Sequence, residues 1–224
     1  LKETINKLSI WLIVVIALLV IFNQWQISSI GSRFAATGIS TTSSSGSTAV
    51  SSSNLQSSVI PTGVPRIYGA ELGLSYDDIS PNDARKANAA IGKMSVYDRS
   101  ITLTGDALQR YIAVGTQISC EYCCGANAII FNNGGAACGC AHSQAMRGLA
   151  KYLISKHTNE FTNDEILEEL GKWKTLYFPG IMTQKAAVLQ SKGIEFNYIN
   201  LASNKYRGIE KGATSSGGAM VGGC

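Results

Sequence analysis

The sequence predicts a mainly α-helical protein with an N-terminal hydrophobic helix, a Ser/Thr-rich linker and a small helical domain. The domain is expected to carry a Cys/His cluster on a short β-hairpin. Three observations lead there. Residues 8–22, LSIWLIVVIALLVIF, form an apolar run without a charge. Residues 39–58 hold thirteen Ser or Thr in twenty positions. Beyond them, apolar residues recur at helical spacing in segments bounded by capping residues, Gly and Pro.

The first element covers residues 1–35. As a helix the apolar run spans roughly 22 Å, and continuing it through NQWQISSI brings it to the ~30 Å of a bilayer core. Trp11 and Trp25 suit interfacial positions. Lys2 and Lys7 precede the run and Arg33 alone follows closely. The positive-inside rule therefore puts the N-terminus in the cytoplasm and the remainder at the cell surface. The retained run reads as a permanent anchor, whose partner is the membrane or other copies of itself.

The linker, residues 36–63, is uncharged between 39 and 58 and poor in large apolar groups, so burial cannot offset the entropy of ordering it. It reads as an extracellular stalk, kept extended at Pro61 and Pro65. The domain occupies residues 64–212. Its first helix is expected in SPNDARKANAAIGKM, capped by Ser80 or Asn82 with Pro81 in the first turn. A second starts at Thr104 and delivers the chain to Cys120. NAIIFNNGGAAC reads as a hairpin turning at Asn133 and Gly134. AHSQAMRGLAKYLISKH follows as an amphipathic helix with Met146, Leu149, Ala150 and Leu153 on one face. TNDEILEELGKWKTLYF opens on a capping box, Thr162 with Glu165, and stops at Pro179. A further helix ends at Gly193, before a strand-like IEFNYINL. The tail, residues 213–224, is rich in Gly and Ser and ends in Cys224.

A net charge of +4, scattered and without a Lys/Arg run, is too small to argue for nucleic acid, and no nucleic-acid partner is expected. No Gly-rich phosphate loop and no Ser/His/Asp pattern is present, so the chain is not expected to be an enzyme.

Chemistry concentrates in CEYCCG and CGCAHSQAM. Five of six cysteines and one of two histidines fall within twenty-three residues. Disulfides are the default outside the cell. Bridges within the adjacent pair Cys123/Cys124 or the one-residue-spaced pair Cys138/Cys140 are strained, whereas cross-bridges such as Cys120 to Cys138 are open. Metal binding fits the spacing better. Cys120 and Cys123 can bend around one ion, a turn can bring Cys138 and Cys140 opposite, and His142 follows at the start of a helix. Zn²⁺ needs four such ligands. Cu⁺ or a small Fe–S cluster suits thiolates with a thioether nearby. Met146 reads as core, and His157 as solvent-facing. Cys224 either completes the site, pairs with a leftover cysteine or links subunits. A thiol nucleophile, Cys140 with His142, would be crowded by its neighbours.

GAELGLSYDDIS, SCEYCCGA, ACGCAHSQAMRGLAKYLI, DEILEELGKWK, FPGIMTQKAAVL and MVGGC together resemble an uncharacterised group of membrane-anchored CxxCC…CGCxH proteins of archaea and small-genome bacteria. The resemblance covers roughly Val64 to Cys224. It implies that Cys120, Cys123, Cys124, Cys138, Cys140, His142 and Cys224 function together. CGCAH is also similar to the motif of PCYCGC-type lipoproteins, without the preceding Pro-Cys-Tyr. The N-terminal architecture resembles a type IV pilin, with Glu3 as the acidic residue. That resemblance implies an alternative function, a filament subunit whose cysteines act as metal or disulfide staples.

Overall fold

In a computed structural model, residues 52–212 and 220–223 are described. The apolar run, most of the Ser/Thr-rich linker and Cys224 lie outside the described residues. Among the described residues no helix is long and apolar enough to cross a membrane.

The linker's last described portion is helical. Helix α1 (Ser52–Val59) packs on α7 (Pro179–Ser191), and Val59 is buried beneath it. A short α2 (Gly69–Leu72) and a 3-10 turn (Tyr76–Asp78) follow. Helix α3 (Ala84–Ser100) starts later than its Ser80/Asn82 reading, because Asp83 supplies the cap by accepting from the Lys86 amide at 3.0 Å. It buries Ala87, Ala90, Ile91 and Met94, a stripe at three- and four-residue spacing. Helix α4 (Gly105–Gly115) then leads to the cysteines.

Helix α5 (Ala141–Lys156) lies at the centre, packed most extensively on α3 and also on α4 and α6 (Asn163–Tyr177). Its predicted stripe of Met146, Leu149, Ala150 and Leu153 is buried, so Met146 is a core side chain. The α3–α5 approach is close enough that Gly148 is needed: a Cβ there would stand 1.9 Å from the Met94 carbonyl oxygen. Helix α6 carries its capping box, with Glu165 N–H donating to Thr162 Oγ1 at 3.2 Å and Thr162 N–H to the Glu165 carboxylate at 2.7 Å. Replacing Thr162 by Ala is expected to cost about 1 kcal/mol, measured as a lower urea midpoint at unchanged slope.

Three expectations are corrected. The first is the β-hairpin, part of the predicted fold class. Among the described residues there is no strand; only isolated bridges form, at Ile130–Ala136 and Ile118–Ser203. Asn133 and Gly134 do make the turn, with Gly134 at φ +82°, but the ladder goes no further. The Ile129 amide, which would extend the ladder by donating to Ala137 O, donates instead to Ile118 O at 2.9 Å, and the Cys138 carbonyl is held by the Arg147 guanidinium at 2.6 Å. The second is IEFNYINL, where helix α8 (Tyr198–Ala202) replaces a strand. Asn197 caps it at 2.7 Å, and the Glu168 carboxylate accepts from the amides of Tyr198 and Ile199. Alternation of apolar residues was outweighed there by local side-chain caps.

His157, expected in solvent, is also corrected. It is 7% exposed, with Nε2 3.0 Å from Glu71 and Nδ1 against Glu160.

Candidate metal centre

Two chain segments build the cluster. After α4, Ile118 bridges to Ser203 and fixes the chain entering Cys120. The amides of Cys123 and Cys124 both donate to the Cys120 carbonyl at 3.2 Å, folding CEYCC into one tight turn. The second segment is CGC at the N-terminus of α5. Arg147 holds the Cys138 carbonyl, and its charge is met by Asp98 at 2.7 Å. Cys140 is the N-cap of α5, its Sγ accepting from the Ser143 amide at 3.4 Å. A sulfur in this position receives the positive end of the helix dipole.

Cys120 and Cys140 thereby meet, Sγ to Sγ, at 3.3 Å. Both are thiols, Cys120 fully buried and Cys140 half-buried. The hydrogen bond shared with Cys120, then those with His142 and the Ser143 amide, hold Cys140 well below the ordinary thiol range. The same bond and burial hold Cys120 well above it. Cys124 and Cys138 form a disulfide.

His142, in the first turn of α5, is fully buried. Its ring lies 4.5 Å from that of Tyr177 and 5.3 Å from that of Phe178. Nε2 lies 2.9 Å from the carbonyl oxygen of Val221. An imidazole whose Nε2 faces a backbone carbonyl is the arrangement in which such carbonyls orient metal-bound histidines. Val221 is itself anchored by its amide to Tyr177 O at 2.9 Å, and Gly223 N–H donates to Asn88 Oδ1 at 2.9 Å. Gly222, at φ +83°, threads this passage; a Cβ would sit 2.4 Å from Ile91 Cδ1.

Ligand atoms of Cys120, Cys123, Cys140 and His142 all lie within 4.8 Å of one another, and those of Cys124, Cys138 and Cys140 form a second such group. The domain thus carries Cys/His groups that can hold a metal ion. Cys123, Cys124 and Cys138 are disulfide-bonded, so each joins as a donor only once reduced. Of the sequence-predicted ligands, six are brought into these two groups; Cys224 lies outside the described residues.

Sequence reasoning missed the charges next to the thiols. Glu121, inside the motif, receives Lys174 Nζ at 3.1 Å and Arg207 Nε at 3.0 Å, with Lys185 Nζ 4.0 Å away. Lys174 and Lys185 are fully buried. Burial pulls the Lys174 ammonium down to about 8, against the attraction of Glu121 and Cys120. Both lysines sit among ordinary helical residues, and only Glu121's place between two cysteines could have signalled them.

No protein-family model, curated protein or solved structure matches the chain. The reading of the site therefore rests on its own geometry.

Proposed function

We propose that this domain is an extracytoplasmic soft-metal-binding module that takes Zn²⁺ or Cu⁺ at Cys120, Cys140 and His142, with Cys123 as fourth donor in the reduced protein. The observation that carries this reading is the meeting of the ligand atoms of Cys120, Cys123, Cys140 and His142 within 4.8 Å, with Cys120 and His142 buried and the other two partly so. Three donors suit trigonal Cu⁺, and four make a closed Cys₃His zinc site. The positive charges of Lys174 and Arg207 favour an anionic thiolate centre, and the Val221 carbonyl orients the imidazole from outside. Among the metal-capture, electron-transfer and scaffold roles, burial of the donors favours a scaffold stabilised by its ion. The disulfide supports an oxidising compartment, in keeping with an anchor in the membrane or in a filament of copies of itself. It also favours a second role, the cysteines as covalent staples of a structural subunit.

The test is elemental analysis of the reduced full chain after equilibration with Zn²⁺ or Cu⁺, alongside thermal unfolding. One ion per chain is expected, with a higher Tm when loaded, because binding and folding are linked. Cys140→Ser and His142→Ala should each weaken the ion at least tenfold. Metal content unchanged in both variants would sink the assignment.

A further inference from the structure

The dithiol and the disulfide of this cluster share a boundary. Cys140 belongs to both groups: its Sγ is 3.3 Å from the Cys120 thiol and within 4.8 Å of the Cys124 and Cys138 sulfurs. Among the described cysteines, Cys140 alone is held by a helix N-terminus, through the Ser143 amide. Cys124 is exposed, whereas Cys120 and Cys138 are buried. A nucleophilic sulfur thus stands between a resolving thiol and a disulfide whose outer sulfur reaches solvent.

We propose that the protein performs an internal thiol–disulfide exchange that opens and closes its metal site, an inference that rests on the metal-binding reading above. The Cys140 thiolate attacks Cys124 Sγ, forming a Cys140–Cys124 bond and expelling the Cys138 thiolate. Attack on Cys138 instead would join residues separated only by Gly139, a strained ring. Cys120 then attacks Cys140 Sγ, forming the Cys120–Cys140 bond and expelling the Cys124 thiolate, which takes the proton Cys120 gives up. One disulfide is reduced, one dithiol is oxidised, and no outside oxidant is consumed. The metal loses two thiolate donors in that exchange. The exposed Cys124 passes the two electrons on to a disulfide-bearing partner, protein or small molecule, by the same chemistry.

Mass action sets the coupling. An ion that binds only the Cys120/Cys140 dithiolate pulls the bridge back to Cys124–Cys138 by the factor 1 + [M]/Kd, about elevenfold at ten times Kd. The experiment is rapid acid quenching and differential alkylation of the metal-free full chain, isolated without reductant, with peptide mapping of the bridge over time. A Cys120–Cys140 bridge is expected to appear without added oxidant, and added Zn²⁺ to diminish it about tenfold. Cys124→Ser/Cys138→Ser is expected to form no Cys120–Cys140 bridge until oxidant is supplied. A bridge that remains wholly at Cys124–Cys138 in the metal-free protein would overturn the exchange while leaving metal binding intact. A bridge that moves but ignores Zn²⁺ would overturn the coupling, and points to failure of the metal reading instead. Equal bridge formation in the double variant would also overturn it, because the electrons would then have another acceptor.

Discussion

Gly148→Ala is expected to remove the native fold, or to destabilise it by about 3–5 kcal/mol, the upper range for single substitutions. The added methyl would meet backbone rather than a yielding side chain: 1.9 Å from Met94 O and 2.9 Å from Asp98 N. Helices α3 and α5 must then separate, and their contact is the most extensive in the domain. Asp98 also receives Arg147 and Lys151, so separation strains the ion pairs that hold the CGC segment. The helix-propensity gain of Ala over Gly, about 1 kcal/mol, opposes this and loses. Far-UV circular dichroism with urea titration reads the result. A midpoint at or above wild type would show that the helices do not approach as described.

Glu121→Gln is expected to cost about 3–5 kcal/mol, because it strands buried cations without changing side-chain size. The Glu121 carboxylate faces Lys174, Arg207 and, more distantly, Lys185, whose ammonium makes no hydrogen bond among the described residues. Glu210 is the other carboxylate acting on Lys185, and it accepts from the Tyr122 hydroxyl at 3.1 Å. The pH dependence separates this mechanism from simple misfolding. Lys174 is lowered from the ordinary lysine range to about 8 in the fold, first by burial, with Glu121 opposing. Below that pH the folded ammonium is charged and Glu121 contributes its full stabilisation. Above it, Lys174 is neutral in the fold while still protonated in the unfolded chain, and the contribution of Glu121 fades. The deficit of the variant should therefore be largest at pH 6–7 and shrink as pH rises past 8, leaving the share due to Arg207. A deficit that stays constant from pH 6 to 9 would exclude the lysine account.

The parts of this architecture that were readable in the sequence depend on neighbours in the chain. The Thr162–Glu165 box, the stripe of α5 and the turn at Asn133–Gly134 each need only local spacing, and each forms. The gathering of Cys120, Cys140 and His142 was legible for a related reason: tight turns bring donors together over short separations. What was not legible depends on residues far apart. The hairpin failed because the Ile129 amide, needed for its next rung, is drawn to Ile118 O from the preceding segment. His157 left the surface because Glu71, eighty-six positions earlier, reaches it. The Glu121 cluster draws on α6, α7 and Arg207, and no spacing rule joins those residues. The strand-like IEFNYINL shows the opposite fault, a local pattern overruled by the caps that Asn197 and Glu168 provide.

The passage of Val221 to Gly223 over His142 has a kinetic consequence. Three hydrogen bonds pin it: Val221 N–H to Tyr177 O, His142 to Val221 O and Gly223 N–H to Asn88. On the metal-binding reading, an ion escaping past the imidazole waits for this segment to lift. Its residence time is then set by a local opening rate rather than by the strength of any single metal–ligand bond. The amide proton of Val221 waits on the same event, so its exchange with deuterium becomes a clock for the ion beneath it.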